Sequence, residues 1–232
     1  MSSAVVFDFQ VSHFIDKKKF RELLDSNYLP ILKLIKNSKN SVFTLNLPLS
    51  FLERCEIVER ADVIDIIKSL EEQGKVELTG TSAYNVPLNT SHIILESEIL
   101  LNELSLGYYF GKPNHFDGEP SFVLKDLKGF VNTNFYTDVA SIHFLKELGY
   151  EWLLIDVNQY KDLEPKGLFN FNKFKLLPID LKFQENFTQE IDINNLDLQS
   201  NMTYFGPQVL AESNANLLTN LDVFVFKKTR VR

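Results

Sequence analysis

Short apolar runs that alternate with helical stretches are the feature that most constrains the fold of this chain. The runs have the length of buried strands, and they cover residues 4–9, 42–47, 75–79, 129–134, 152–155 and 174–179. The stretches between them carry apolar residues at helical spacing, as in Val63, Ile66, Ile67 and Leu70. Because two parallel strands can be joined only by a long crossover, this alternation predicts a parallel α/β sheet.

The number of strands and the length of the chain predict one domain. About six or seven strands in a chain of 232 residues favour an α/β fold of the distorted parallel (β/α)7-type barrel kind. We therefore expect a single barrel domain over residues 1–232. Within it, the stretch 111–128 begins with closely spaced prolines and glycines and predicts a surface loop.

Two local signals concern helix boundaries. Pro30 lies inside the helical stretch 16–36 and predicts a break there, because a proline in a helix interior removes a backbone hydrogen bond. Ser50 followed by Glu53 is a capping-box pattern, and it predicts that a helix begins at this point.

Composition argues against several functional classes. The net charge of −7 disfavours a nucleic acid or an anionic membrane surface as the partner, since both are negatively charged. Cys55 is the only cysteine, so no internal disulfide can form. No apolar run has the length of a membrane span, and the first residues lack the pattern of a secretory signal. We therefore expect a cytoplasmic protein.

Polar residues that follow the strands form the candidate site. Chemistry in parallel barrels lies at the carboxyl ends of the strands, and there the chain has Gln10, Ser12, His13, Tyr84, Asn85, Asn132, Asn134, Asp138, Asp156 and Asp180. Tyr84 can stack on a sugar ring, and the amides can bond to sugar hydroxyls. Structural roles stay open beside these: Asn134 also has the position of a residue that caps nearby backbone, and Asp138 that of a helix N-cap.

The histidines and glycines do not indicate metal or cofactor chemistry. The four histidines are far apart in sequence, and no pair has the close spacing of metal ligands. Ser12 is not part of a Gly-x-Ser-x-Gly turn, and the chain has no Gly-rich phosphate loop. We therefore expect neither a metal nor a cofactor.

Four segments carry a more specific pattern. They are Phe9-Gln10-Val11-Ser12-His13, Gly74-Lys75-Val76-Glu77-Leu78 with the later Tyr84-Asn85, Phe130-Val131-Asn132-Thr133-Asn134, and, more loosely, Phe205-Gly206-Pro207-Gln208. Together they resemble glycoside hydrolase family 57, within the glycoside hydrolase/deacetylase superfamily. The resemblance implies a barrel and a retaining mechanism, in which a nucleophilic carboxylate and a carboxylic acid lie about 5 Å apart.

The functional positions of that family are changed in this chain. The resemblance places Asn134 at the nucleophile and Asn201 at the acid, while Ser12 and Asn85 stand where the family has histidines. An amide is not acidic enough to protonate a leaving oxygen, and loss of acid or base help alone costs about 10²–10⁴ in rate. We therefore expect a pseudoenzyme that binds a neutral oligosaccharide or regulates a protein partner in carbohydrate metabolism.

Two alternatives stay open. An active glycosidase or glycosyl-transferring enzyme would use Asp138, Asp156 or Asp180 in place of the missing groups, whereas an interaction scaffold would bind no ligand at all. The pocket distinguishes them. Two carboxylates about 5–9 Å apart favour an enzyme, amides and exposed rings favour glycan binding, and a pocket filled by Phe side chains favours a scaffold.

Overall fold

The structure is a computed structural model that describes residues 4–12, 14–38, 42–111, 113–116, 119–122, 127–132, 134–156, 169–179 and 202–205. Its strands are β1 (Ala4–Asp8), β2 (Phe43–Asn46), β3 (Val76–Thr79), β4 (Pro113–Phe116), β5 (Glu119–Phe122), β6 (Gly129–Phe130), β7 (Trp152–Asp156), β8 (Phe169–Phe171), β9 (Phe174–Ile179) and β10 (Met202–Phe205). Its helices are α1 (Lys17–Leu23), α2 (Leu29–Asn37), α3 (Leu49–Ile57), α4 (Ala61–Glu72), α5 (His92–Phe110) and α6 (Val139–Glu147). None of the helices described is both long enough and apolar enough to cross a bilayer.

Parallel pairing dominates the two main sheets. One sheet has the order β10-β1-β2-β3, and all of its neighbouring strands are parallel. The other has the order β6-β7-β9-β8, in which only β8 runs antiparallel to its neighbour. The predicted parallel α/β architecture is thus confirmed. The stretch predicted as a loop at 111–128 instead contains an antiparallel hairpin of β4 and β5, a pairing that needs only a short connection.

Gly80 joins the two sheets. Its backbone nitrogen donates to the oxygen of Gly129 at 2.8 Å, and the nitrogen of Val131 donates to the oxygen of Gly80 at 2.9 Å. Because this bridge is parallel, seven parallel strands follow one another in the order β10-β1-β2-β3-β6-β7-β9. At the ends of this run, Cα atoms of β9 and β10 come within 8 Å of each other. Closure into the (β/α)7-type barrel stays a prediction, since no ladder joins these two strands among the described residues.

Side chains from distant strands pack together, so the run of strands must be curved. Val6 of β1, Leu154 of β7 and Ile179 of β9 belong to one buried cluster with Val131 and Phe135. In a flat sheet, β1 and β7 would be four spacings of about 4.8 Å apart, too far for their side chains to touch. The strands therefore bend around a shared interior. The larger apolar core lies on the other face, between the strands and the helices.

The helix that contains Pro30 is not broken, which corrects the prediction. α1 continues into a π-helical turn at Leu24–Tyr28, and α2 follows directly with Pro30 as its second residue. Proline has no N–H to donate to the preceding turn, and the wider π-helical turn accommodates this missing bond. The helix thus widens before Pro30 instead of ending there.

α3 begins without the predicted capping box. Its first residue is Leu49, and within the described part of the chain the buried hydroxyl of Ser50 has no hydrogen-bond partner. The backbone nitrogen of Leu49 instead donates to Oδ1 of the buried Asn102 on α5, at 2.7 Å. The free backbone donor at the start of the helix is therefore satisfied by a residue 53 positions away. A local sequence pattern does not predict a partner so distant in the chain.

We expect Gly80→Ala to destabilise the junction between the sheets. A Cβ atom on Gly80 would lie 2.2 Å from the hydroxyl oxygen of Tyr150 and 2.4 Å from its Cε1. Overpacking of this kind costs about 1–3 kcal/mol, which urea denaturation measures directly. In a Tyr150→Ala background, where the ring is absent, the same substitution should cost clearly less. An equal cost in both backgrounds would contradict the assigned clash.

Candidate functional site

A hydrogen-bonded row of polar side chains crosses the carboxyl ends of β1, β2 and β3. Asp8, Asn46 and Thr79 are neighbours across the parallel ladders, and all three are buried. The amide of Asn46 donates to Oδ1 of Asp8 at 2.8 Å, and the hydroxyl of Thr79 donates to Oδ1 of Asn46 at 3.1 Å. The backbone nitrogen of Gln10 also donates to Asp8, at 3.2 Å. These bonds stabilise and orient the Asp8 carboxylate.

Asp156 faces the same interior as Asp8. Side chains two residues apart on a strand share a face, so Asp8 lies on the face of Val6, and Asp156 on the face of Leu154. Val6 and Leu154 belong to the same interior cluster. Because the strands run parallel, both carboxylates lie beyond this cluster, toward the carboxyl ends. Both are nearly inaccessible, with 1% of Asp8 and 6% of Asp156 exposed.

The sequence predicts Asp156 as a site residue but not Asp8. Asp8 lies inside the apolar run 4–9, a pattern that predicts only a buried strand. A lone carboxylate in such a run is itself a signal, because charged residues are rarely buried without a partner. Its partners, Asn46 and Thr79, come from two other strands, so only the folded chain reveals the group.

Asn134 orders the loop that follows β6. Its side chain is exposed, and its Oδ1 accepts from the amide of Asn132 at 2.7 Å and from the nitrogen of Tyr136 at 3.2 Å. Phe135, which lies between Asn134 and Tyr136, has a left-handed backbone with φ of 53°. The side chain at the position where the resemblance expects the nucleophile therefore closes a tight turn.

Asn132 is the buried member of this loop, with 2% of its surface exposed. Its amide nitrogen donates to Asn134 and, at 2.7 Å, to the backbone oxygen of Tyr136. Among the residues that the structure describes, none donates a hydrogen bond to its Oδ1. A buried acceptor without a donor is costly, so this oxygen is a favourable point for a ligand hydroxyl to bind.

Asp138 is the N-cap of α6. Its exposed carboxylate accepts from the backbone nitrogen of Ser141 at 2.7 Å, which is N-cap geometry. This hydrogen bond to the charged form lowers the pKa of Asp138 below its usual value. Of the two roles left open for this residue, the structure shows the capping one.

Tyr84 and Asn85 belong to a loop that contacts α3 and α5. The hydroxyl of Tyr84 donates to Oε1 of Glu53 at 2.9 Å, and its backbone nitrogen donates to Oε2 of Glu98, also at 2.9 Å. Burial and, after it, the bond to Glu53 raise the pKa of Tyr84 to about 12. The hydroxyl is thus directed at α3. Asn85 is half-buried with a left-handed φ of 63°.

The remaining candidates lie at the edge of the site or beyond the described residues. Gln10 is half-buried, and the exposed Ser12 accepts from the nitrogen of Phe14 at 3.3 Å through its hydroxyl. Three predicted positions lie outside the described residues: His13, Asp180 and Asn201. Asn201 comes immediately before β10 in the sequence, whereas the carboxyl end of that strand is followed by Gly206.

The described histidine rings on helices pack against aromatic side chains. His92 stacks on Phe144 with 4.6 Å between ring centroids, and His143 meets Phe171 edge-on at 5.7 Å. In the part of the chain that the structure describes, no three His, Cys, Asp or Glu side chains form a group able to hold a metal ion.

The solved structures that this chain resembles include two enzymes and a pseudoenzyme. The 4-α-glucanotransferase from Thermococcus litoralis matches with a TM-score of 0.73 and 14% identity, over 98% of this chain and 36% of that one. A GH57 branching enzyme from Thermococcus kodakaraensis matches with a TM-score of 0.63 and 8% identity, over 100% and 69%. A CE4 family pseudoenzyme from Bacillus anthracis matches with a TM-score of 0.51 and 9% identity, over 99% and 61%.

This likeness shows the fold, which is the glycoside hydrolase/deacetylase fold. The chain spans little more than a third of the length of the glucanotransferase. No protein-family model and no curated protein sequence matches the chain. The resemblance noted in the sequence is therefore supported at the level of the fold.

We expect the stabilising effect of Asp138 to depend on pH. Because its pKa is lowered in the folded chain, the cap contributes fully above the ordinary Asp pKa of about 4 and is lost as the pH falls through the lowered value. Asp138→Ala should cost about 0.5–2 kcal/mol near neutral pH and less in acid, as measured by urea denaturation. Asp138→Asn keeps a capping oxygen and should stay close to the native chain at neutral pH. If the loss of stability in Asp138→Ala did not change with pH, the N-cap role of the Asp138 carboxylate would be contradicted.

Proposed function

We propose that this protein is a non-catalytic homologue of family 57 glycoside hydrolases that binds a neutral oligosaccharide. The observation that carries the proposal is the role of Asn134. At the position where the family has a nucleophilic carboxylate, this chain has an amide whose oxygen is bonded within its own turn. A CE4 pseudoenzyme has the same fold, so loss of catalysis has a precedent among its structural relatives.

Asp8 is held in a fixed position by the strands around it. Its carboxylate accepts from the amide of Asn46 at 2.8 Å and from the backbone nitrogen of Gln10 at 3.2 Å. In the binding proposal, Asp8 orients these neighbouring donors and does not itself react.

The groups around the strand ends match the chemistry of a neutral sugar. Thr79 and Asn46 provide a hydroxyl and an amide, and Asn132 provides a buried acceptor without a partner. Sugar hydroxyls both donate and accept, so they pair with such groups without a change in charge. We also propose that the protein is cytoplasmic and that it acts with a protein partner in carbohydrate metabolism.

Calorimetry with a neutral α-glucan oligosaccharide such as maltoheptaose tests the binding. We expect a Kd in the micromolar to millimolar range. Thr79→Val should raise this Kd about fivefold, since a bond to a buried hydroxyl is worth about 1 kcal/mol. Thr44→Val is the matched control, because Thr44 is also a buried threonine but lies two residues before Asn46, away from the strand end. No heat of binding to the folded native chain would contradict the proposal.

A second candidate, an active glycosidase, is favoured by one specific observation. Asp8 and Asp156 are buried carboxylates that face one interior. Glycosidases use two carboxyl groups, about 5–5.5 Å apart in retaining enzymes and about 6.5–9.5 Å apart in inverting ones. Asp138, another carboxylate predicted for this role, instead caps helix α6.

An assay with an activated aryl α-glucoside separates the two candidates. The binding proposal predicts no turnover by the native chain, and none by Asn134→Glu alone, because groups that act as a unit are not restored one at a time. The glycosidase alternative predicts ordinary turnover, about 1–10³ s⁻¹, which Asp156→Asn abolishes and Asp138→Asn does not. Turnover that survives repurification and depends on Asp156 would therefore replace the first proposal by the second.

A further inference from the structure

Helix α5 is apolar on two opposite sides. Its inner side is buried, through residues that include Leu95, Ile99 and Leu106. Its outer side exposes five large aliphatic side chains, with 79% of Ile93 accessible and between 41% and 52% of each of the others: Ile94, Leu100, Leu101 and Leu104. We call these five residues the α5 stripe.

The α5 stripe covers one side of the helix. At about 100° per residue, Ile93, Leu100 and Leu104 project within an arc of roughly 40°, and Ile94 and Leu101 extend the arc on one side. Ser97 lies within this arc, but its hydroxyl donates to the backbone oxygen of Ile93 at 2.9 Å, so its polar group is already hydrogen-bonded. A surface helix normally presents charged or polar residues at such positions. Contiguous exposed apolar surface of this kind marks interaction sites.

The edges of the stripe are acidic. By the same helical geometry, Glu96 lies on one side of the stripe and Glu98 on the other. Glu96 is exposed, and Glu98 accepts from the backbone nitrogen of Tyr84. α5 contains no lysine or arginine, and the whole chain has a net charge of −7. A partner must therefore provide apolar side chains in the middle and positive charge at the edges.

We propose that the α5 stripe binds an amphipathic helix of a protein partner whose apolar face is flanked by lysine or arginine. Helix-on-helix packing would bury the aliphatic side chains, and basic residues would lie beside Glu96 and Glu98. A second copy of this chain does not satisfy these conditions, because two paired α5 helices would bring glutamates together without a basic residue between them. An anionic membrane surface would be repelled for the same reason.

The test uses the full chain and two synthetic helical peptides. Both have leucines at positions i, i+3, i+4 and i+7; one has lysines at the edges of this face, and its twin has glutamates. We expect the lysine peptide to bind with a micromolar Kd by fluorescence anisotropy, more weakly at high salt, and the glutamate peptide not to bind. The double variant Leu100→Ser/Leu104→Ser should weaken binding of the lysine peptide at least about tenfold.

Two further variants make the result specific. Glu96→Lys should weaken binding of the lysine peptide and allow the glutamate peptide to bind. Val42→Ser, which removes an exposed apolar side chain outside α5, should change neither. Circular dichroism confirms that each variant is folded. Unchanged binding of the lysine peptide by the double variant would overturn the proposal. So would a dimer of the native chain in analytical ultracentrifugation, or its adsorption to phosphatidylcholine vesicles, if the double variant abolishes either one.

Discussion

The pairing of Gly80 with the backbone around β6 is the contact on which the rest of the structure depends. It converts two four-stranded sheets into one run of parallel strands. Only a residue without a side chain leaves room there for the ring of Tyr150. Once the sheets are joined and curved, Val6 and Leu154 can share one interior cluster. The polar residues that end the strands are then directed toward a common space.

Around that space, polar groups at the strand ends lie near side chains that stabilise the local backbone. Asp8, Asn46 and Thr79 form one buried network, and Asn132 adds an acceptor without a partner. By contrast, the side-chain oxygen of Asn134 orders its own turn. Asp138, another predicted site residue, caps helix α6. Two of the predicted site residues thus serve local structure, while hydrogen-bonding groups remain at the strand ends. The proposed binding of a neutral ligand rests on these remaining groups.

α5 shows how the same chain can carry a second surface outside this space. A helix that packs on a core needs one apolar side, yet α5 has two. The outer side leaves apolar area exposed to water. Its start lies beside α6, because His92 stacks on Phe144.

The sequence by itself determined the α/β class, the parallel strands and most strand positions, because the spacing of apolar residues reflects which face of an element is buried. It also indicated that chemistry would lie at the strand ends, where Asn132 and Asp156 are found. Only the tertiary structure decided which polar groups meet: Asp8 bonds to Asn46 from another strand, and Asn102 caps α3 from 53 residues away. Likewise, the helix at Pro30 continues because a π-helical turn accommodates the proline within the packed core. Local patterns report the periodicity of burial, whereas hydrogen-bond partners distant in sequence are chosen by packing.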